Sequence, residues 1–201
     1  VLSVPIEEHR AEVLRRNEQL AADGLRVLAF ALRVEDDDLD AVGADPFARV
    51  EELELVALIG MIDPLRPQAI AAVADAAAAG ISVRMITGDH VVTAAAIGRE
   101  LGLGDEVAEG HGAMTGAEFA ALSDAGLAAQ LDDLRVIGRV TPDDKLRLVQ
   151  ALRARGEVVA MTGDAINDAA GIKAADVGVA MGSGSEVTKQ AARMILTDDN
   201  F

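Results

Sequence analysis

The 201 residues carry a net charge of −16, four Phe, and no Trp, Tyr or Cys. So acidic a surface repels nucleic acid and anionic membranes, and so few aromatics leave little on which bases could stack, which excludes single-strand nucleic-acid binding. Disulfides and thiolate metal sites are excluded with the cysteines, which fits a reducing cytosol.

In chain order, residues 5–22 read as an amphipathic helix, with Leu14 and Leu20 set among charges, and residues 25–32 as a strand. An acidic stretch from Glu35 to Asp45, closed by Pro46, reads as a loop and as the domain boundary. The expected division is therefore 1–45 and 46–201. Beyond it the apolar run 53–62 reads as a buried strand. Pro67 opens an Ala-rich helix that ends at Gly80. A strand at 81–86, a helix at 90–101 and two short helical pieces within 116–131 follow. Residues 134–137 form a strand, and Thr141 caps a helix to about Arg155 with Pro142 at its first position. Then come a strand at 157–161, a helix at 166–174, a strand at 177–180, a helix at 186–192 and a strand at 194–197. This alternation predicts an α/β fold, a parallel sheet with helices on both faces. The longest apolar window, 69–83, is interrupted by Asp75 and Gly80 and is too short to span a membrane. The start, Val1-Leu2-Ser3-Val4-Pro5, has neither an initiator Met nor a signal-peptide pattern, so the chain is expected to be cut from something longer.

One tripeptide occurs twice, Thr87-Gly88-Asp89 and Thr162-Gly163-Asp164, each after a strand and before a helix. Ligands of open α/β sheets bind beyond the carboxyl ends of the strands. There a glycine lets backbone approach a phosphate, a helix N-terminus favours an anion, and Asp offers magnesium a hard oxygen. A single copy would be ordinary turn and cap chemistry; two copies at strand ends make that reading less economical. In the second turn Asp164 and Asp168 lie four apart with Asn167 between them, a spacing that suits a magnesium site and equally an acidic first turn facing a helix dipole.

Met161-Thr162-Gly163-Asp164-Ala165-Ile166-Asn167-Asp168-Ala169 resembles the T-G-D-G-V-N-D-A-P hinge motif of P-type cation-transporting ATPases. Further segments match in the family's order. Gly60-Met61-Ile62-Asp63-Pro64-Leu65-Arg66 resembles G-M-x-D-P-P-R, Met85-Ile86-Thr87-Gly88-Asp89 resembles M-I-T-G-D, and Gly138-Arg139-Val140-Thr141-Pro142-Asp143-Asp144-Lys145 resembles A-R-V-x-P-x-x-K. Ala180-Met181-Gly182-Ser183-Gly184-Ser185-Glu186-Val187 and Leu196-Thr197-Asp198-Asp199-Asn200-Phe201 resemble the run that closes the phosphorylation domain, in its calcium- and sodium-pump-like form. The resemblance is dense over 50–201 and reaches back to Gly24-Leu25-Arg26-Val27-Leu28-Ala29, similar to the end of the nucleotide-binding domain.

The resemblance implies a haloacid dehalogenase-like, Rossmann-like domain over 46–201, with 1–45 a remnant of the nucleotide-binding domain. It implies an ATP-driven cation transporter that works through a phospho-aspartate with Mg2+, and for this chain a cytoplasmic domain of an integral membrane protein. The partners implied are ATP, a transported cation, and the remaining pump domains and membrane helices. In these terms Thr87, Lys145 and Asp164 are catalytic. Arg26, Thr87, Gly88, Asp89, Arg139, Lys145 and Asn167 bind nucleotide or phosphate. Asp164 ligates the metal, and Asp168 is a ligand or supports one. Without a phosphate nearby, Lys145 would be an ordinary solvated Lys in the first turn of a helix, where the dipole disfavours a cation. Asp63 and Arg66 are expected to act as a structural hinge, and His9, His90 and His111 as solvated or capping residues. Two departures stand out: Ala165 replaces a Gly, which would distort the turn if that position needs a positive φ, and Leu65 replaces a Pro.

The family's nucleophile lies in a D-K-T-G-T motif on the central strand, and no Asp-Lys-Thr occurs in these residues. It is expected upstream of Val1, so the isolated chain is expected not to autophosphorylate; for a sheet lacking that strand, edge pairing with another copy, a substituted strand and partial disorder all stay open. Thr115-Gly116-Ala117-Glu118 is not the T-G-E dephosphorylation loop. Two other classes stay open. Asp38-Leu39-Asp40-Ala41-Val42 fits the D-x-D-x-[T/V] nucleophile loop of soluble phosphatases, although an acidic run rather than an apolar strand precedes it. The other is a non-catalytic regulatory or binding domain.

Overall fold

The computed structural model describes residues 6–34, 53–62, 64–104, 107 and 111–200. The chain forms two compact units, Val1–Asp63 and Pro64–Phe201. The expected boundary at 45/46, Asp63 of the hinge segment, and the Asp38–Val42 stretch lie outside the described residues.

In the first unit, helix α1 (Ile6–Ala22) leads into strand β1 (Arg26–Leu32), which pairs antiparallel with β2 (Glu54–Met61). The register runs from Arg26 opposite Met61 to Leu32 opposite Glu54, with an irregularity between Phe30 and Ala31. The apolar run 53–62 is therefore a strand, but not the buried one expected. Val56 and Ile59 are exposed, because a two-stranded ribbon with one helix has too few neighbours to cover both its faces.

The second unit continues with α2 (Pro67–Ala78), β3 (Met85–Ile86), α3 (Val91–Leu101), β4 (Ala113–Thr115), α4 (Gly116–Ala121), α5 (Asp124–Gln130) and β5 (Val136–Gly138). After these come α6 (Pro142–Ala154), β6 (Ala160–Gly163), a 3₁₀ turn (Ile166–Asp168), α7 (Ala169–Ala174), β7 (Val177–Met181), α8 (Glu186–Ala191) and β8 (Met194–Leu196). The fold is the expected α/β one, with every strand pair of this unit parallel.

Helix starts follow the expected signals. Thr141 closes a capping box with Asp144, with Pro142 at the first position, as expected; at α8 the cap is Ser185, which accepts the Thr188 N–H and was not foreseen. Thr115 and Glu118 form another capping box, so that segment opens α4. The strand β4 went unforeseen, since Ala113 and Met114 are too few apolar residues to announce one.

The strands form two sheets of three, ordered β3-β5-β4 and β6-β7-β8. On β5, the alternation of side chains sends Val136 into a cluster with Val73 and Ala94, and Ile137 into one with Phe119, Leu127 and Leu148. Helices thus cover both faces of that sheet. Met161 of β6 joins the Ile137 cluster, so one core serves both sheets. β3 and β6 each end their sheet, and residues of both line one cavity of about 650 Å³. Ile86 and Thr162, each directly before its T-G-D turn or within it, lie on its wall, and Leu148 and Leu152 of α6 are among its apolar lining.

Candidate functional site

The first turn leaves β3 under the control of β5. The Thr87 N–H donates to the Ile137 carbonyl at 3.0 Å, and the Thr87 carbonyl accepts the Val140 N–H at 3.2 Å. The Asp89 carbonyl accepts the Arg139 N–H at 2.9 Å. Thr87 Oγ1 donates to Asp89 Oδ2 and accepts the Asp89 N–H, both at 3.1 Å, which fixes the turn from within. Gly88 and Asp89 are exposed, and a Cβ added at Gly88 would meet no atom within 4 Å. His90 caps α3, its Nδ1 accepting the Val92 N–H at 3.3 Å. His9 and His111 are exposed.

Arg139 sits beside this turn with φ of 55°, a left-handed conformation uncommon outside glycine. Its side chain is exposed. Strain of this kind persists only where surrounding bonds enforce it, here the bond to Asp89, and it concentrates at functional sites.

The second turn is built around Asp168. This carboxylate is 6% exposed, and its Oδ2 accepts the N–H groups of Asp164 (3.2 Å) and Ala165 (3.1 Å). Its Oδ1 accepts Lys145 Nζ at 2.5 Å in an ion pair whose side chains are 13% and 9% exposed. Gly163 makes the closure feasible, since a Cβ there would lie 2.6 Å from Asp168 Oδ2. The expected single helix at 166–174 is split, because the Asp168 N–H bonds the Ala165 carbonyl and closes a 3₁₀ turn before α7 begins. Ala165 has φ −88° and ψ 155°, extended backbone open to any L-residue, so the replacement of Gly there causes no distortion.

Asp164 and Asn167 remain exposed. Lys145 is not the solvated lysine that a bland reading allowed: it reaches from the first turn of α6 to a nearly buried carboxylate. Lys145, Asp168 and Asp164 are thus brought together at the end of β6, and Thr87, Gly88, Asp89 and Arg139 at the end of β3. Arg26 belongs to the first unit, where it is exposed at the start of β1. Arg66 of the expected hinge donates from Nη1 to the Asp199 carbonyl at 3.3 Å, a structural tie.

Among the described residues no three acidic or His side chains gather into a metal cluster. Magnesium needs none: it commonly takes one or two carboxylates and fills its octahedron with water and phosphate oxygens. Exposed Asp164 offers such an oxygen, and Asp168 keeps one further lone pair on Oδ1, the oxygen that takes only Lys145. The donor set therefore fits a hard divalent ion. Gly163 and Thr188 both shape the turn, the first already marked within the repeated tripeptide and the second not. Nothing local marks Thr188.

The family model for haloacid dehalogenase-like hydrolases matches residues 2–176. Probable cation-transporting ATPase F of Mycobacterium tuberculosis is 50% identical over 197 residues, 96% of this chain and 21% of that protein. Calcium-transporting ATPase 1 of Bacillus cereus is 42% identical over 201 residues, 100% of this chain and 22% of that protein. Sodium/potassium exporting P-type ATPase cta3 of Schizosaccharomyces pombe is 42% identical over 208 residues, 97% of this chain and 20% of that protein. The chain spans about a fifth of the length of these curated relatives.

Proposed function

The chain belongs to the haloacid dehalogenase-like hydrolases, and from that premise we propose that it forms the phosphate- and metal-binding side of the phosphoryl-transfer site of a P-type cation pump. The observation that carries this reading is the Lys145–Asp168 pair, a nearly buried cation and carboxylate knotted into the turn that leaves Asp164 exposed. Burying an ion pair commonly gains little stability over an apolar pair, so chemistry rather than folding accounts for it.

Each residue then has a task. Lys145 holds a fixed positive charge where phosphoryl oxygens gain negative charge, stabilising that charge without reorganisation. Thr87 turns its hydroxyl from Asp89 to a phosphoryl oxygen, and Gly88 leaves open space for the phosphate to approach the backbone. Asp164 ligates Mg2+, while Asp168 orients the turn and Lys145. The ion supplies charge neutralisation for the phosphate. Arg139, Asp89 and Asn167 are exposed and reach nucleotide or phosphate.

The nucleophilic aspartate is supplied by sequence outside these residues. The cavity bordered by β3 and β6 supports this, because each of those strands ends its sheet there, and a strand added between them would deliver its last residue beside both T-G-D turns. The whole pump, with ATP, its cation and its membrane helices, is the setting this reading gives the chain. Among the described residues no helix is long and apolar enough to cross a membrane. Incubation of the 201-residue chain with γ-labelled ATP and Mg2+ is expected to leave it unlabelled. An acid-stable, hydroxylamine-labile phosphoprotein would overturn the proposal. In the full-length pump, Asp164→Ala is expected to abolish phosphoenzyme formation.

A further inference from the structure

The second T-G-D turn is gripped from two sides, and only one of them involves the residues already assigned. Asp168 takes its N–H groups. Its carbonyls face the other way, toward the loop before α8: the Asp164 carbonyl accepts the Ser185 N–H at 2.8 Å, and the Ala165 carbonyl accepts Thr188 Oγ1 at 2.7 Å. Thr188 is fully buried, at 0% exposure. The loop itself lies against the turn, since a Cβ at Gly184 would come within 3.0 Å of the Asp164 carbonyl oxygen.

The hydroxyl of Thr188 is not needed by its own helix. Ser185 caps α8 by accepting the Thr188 N–H at 3.2 Å, and Ser185 Oγ lies 2.7 Å from Thr188 Oγ1. A hydroxyl carries one proton. With the Thr188 proton spent on Ala165, the Ser185 hydroxyl donates to Thr188, and the two form a short relay that ends on the Ala165 carbonyl. The Ser185 N–H thus holds the Asp164–Ala165 peptide and the relay holds the Ala165–Ile166 peptide that follows it, while the Asp164 carboxylate itself stays exposed.

We propose that Thr188 is a positioning residue for Asp164: its buried hydroxyl, held in place by Ser185, fixes the Ala165–Ile166 peptide directly beyond Asp164, while the Ser185 N–H fixes the Asp164–Ala165 peptide, and the two together aim the carboxylate at the metal. This rests on the reading of Asp164 as the Mg2+ ligand. Removing the Thr188 donor leaves the Ala165 carbonyl with the Asp168 N–H alone, and the loss of one hydrogen bond corresponds to an expected effect of about tenfold.

The test compares Thr188→Val, which keeps the shape and loses the hydroxyl, with Thr188→Ser, which keeps the hydroxyl. Two quantities are measured on the 201-residue chain: amide exchange residue by residue, and affinity for Mn2+ as the probe ion. Thr188→Val is expected to speed exchange at Asp164 and Ala165 about tenfold, to leave the α6 amides unchanged and to weaken Mn2+ about tenfold. Thr188→Ser is expected to restore both. Unchanged exchange, a uniform speeding of every amide, or unchanged Mn2+ affinity despite faster local exchange would each overturn the proposal. Should the unsubstituted chain take up no Mn2+, the metal reading fails by itself, and exchange at Asp164 and Ala165 still decides whether Thr188 fixes the turn.

Discussion

Lys145 carries more of the account than any other side chain, because its position is costly on two counts. It lies in the first turn of α6, at the positive end of the helix dipole, and it is nearly buried. Asp168 offsets both costs. Lys145→Met would strand that carboxylate among apolar atoms and two N–H groups, and is expected to destabilise the chain by about 3–5 kcal/mol. Denaturant midpoints check this. Adding Asp168→Asn to Lys145→Met should recover part of the loss, since Asn keeps an acceptor for the turn without a charge. Gly88 gives the complementary case. A Cβ there meets nothing, and its φ lies outside the left-handed region, so Gly88→Ala should melt within a degree or two of the unsubstituted chain. Mg2+-dependent binding of inorganic phosphate, followed by 31P NMR, should nonetheless weaken severalfold, because the methyl group stands where phosphate must approach backbone. Unaltered phosphate binding would remove Gly88 from the site.

At the scale of elements, β6 is pinned by Asp176, which follows α7. The Val159 N–H donates to Asp176 Oδ2 at 3.0 Å, and Arg153 of α6 donates to Oδ1 at 3.1 Å. The backbone hydrogen bond from Val159, aided by the charge of Arg153, holds the carboxyl below its ordinary range. A depressed folded pKa means that the stabilisation is complete above the unfolded value of about 3.9 and is lost as pH falls through the folded one. The advantage of the unsubstituted chain over Asp176→Asn should therefore hold at neutral pH and shrink below about pH 4, as urea midpoints across that range would show. Elements with local signals were legible in the sequence: Pro67 and the Thr141-Pro142 start set helix ends by chemistry within one turn. The run 53–62 misled because apolarity reports a capacity for burial, and which partner a strand finds is decided far away in the chain. Both T-G-D turns were legible for the same local reason, whereas the Thr188 bond to Ala165 spans 23 residues and leaves no trace in spacing.

For the molecule as a whole, two parallel three-stranded sheets share one core, and two strands that end their sheets border one cavity. Sheet edges are templates for further pairing. A longer chain that carries an apolar strand ending in D-K-T-G-T should therefore melt higher than the 201 residues alone, by several degrees, as calorimetry would show. The acidity of the chain, with a net charge of −16, also makes a phosphate site dependent on a few cations and on the metal. The most direct measurement follows from that dependence: the amide NMR shifts of Thr87, Gly88 and Asp164 during titration with inorganic phosphate. With Mg2+ present, both turns should shift together, and the shifts should vanish when Mg2+ is withdrawn or when Asp164 is changed to Asn. Shifts that persist in Asp164→Asn, or two turns that respond independently of each other and of Mg2+, would contradict a single metal-dependent phosphate site.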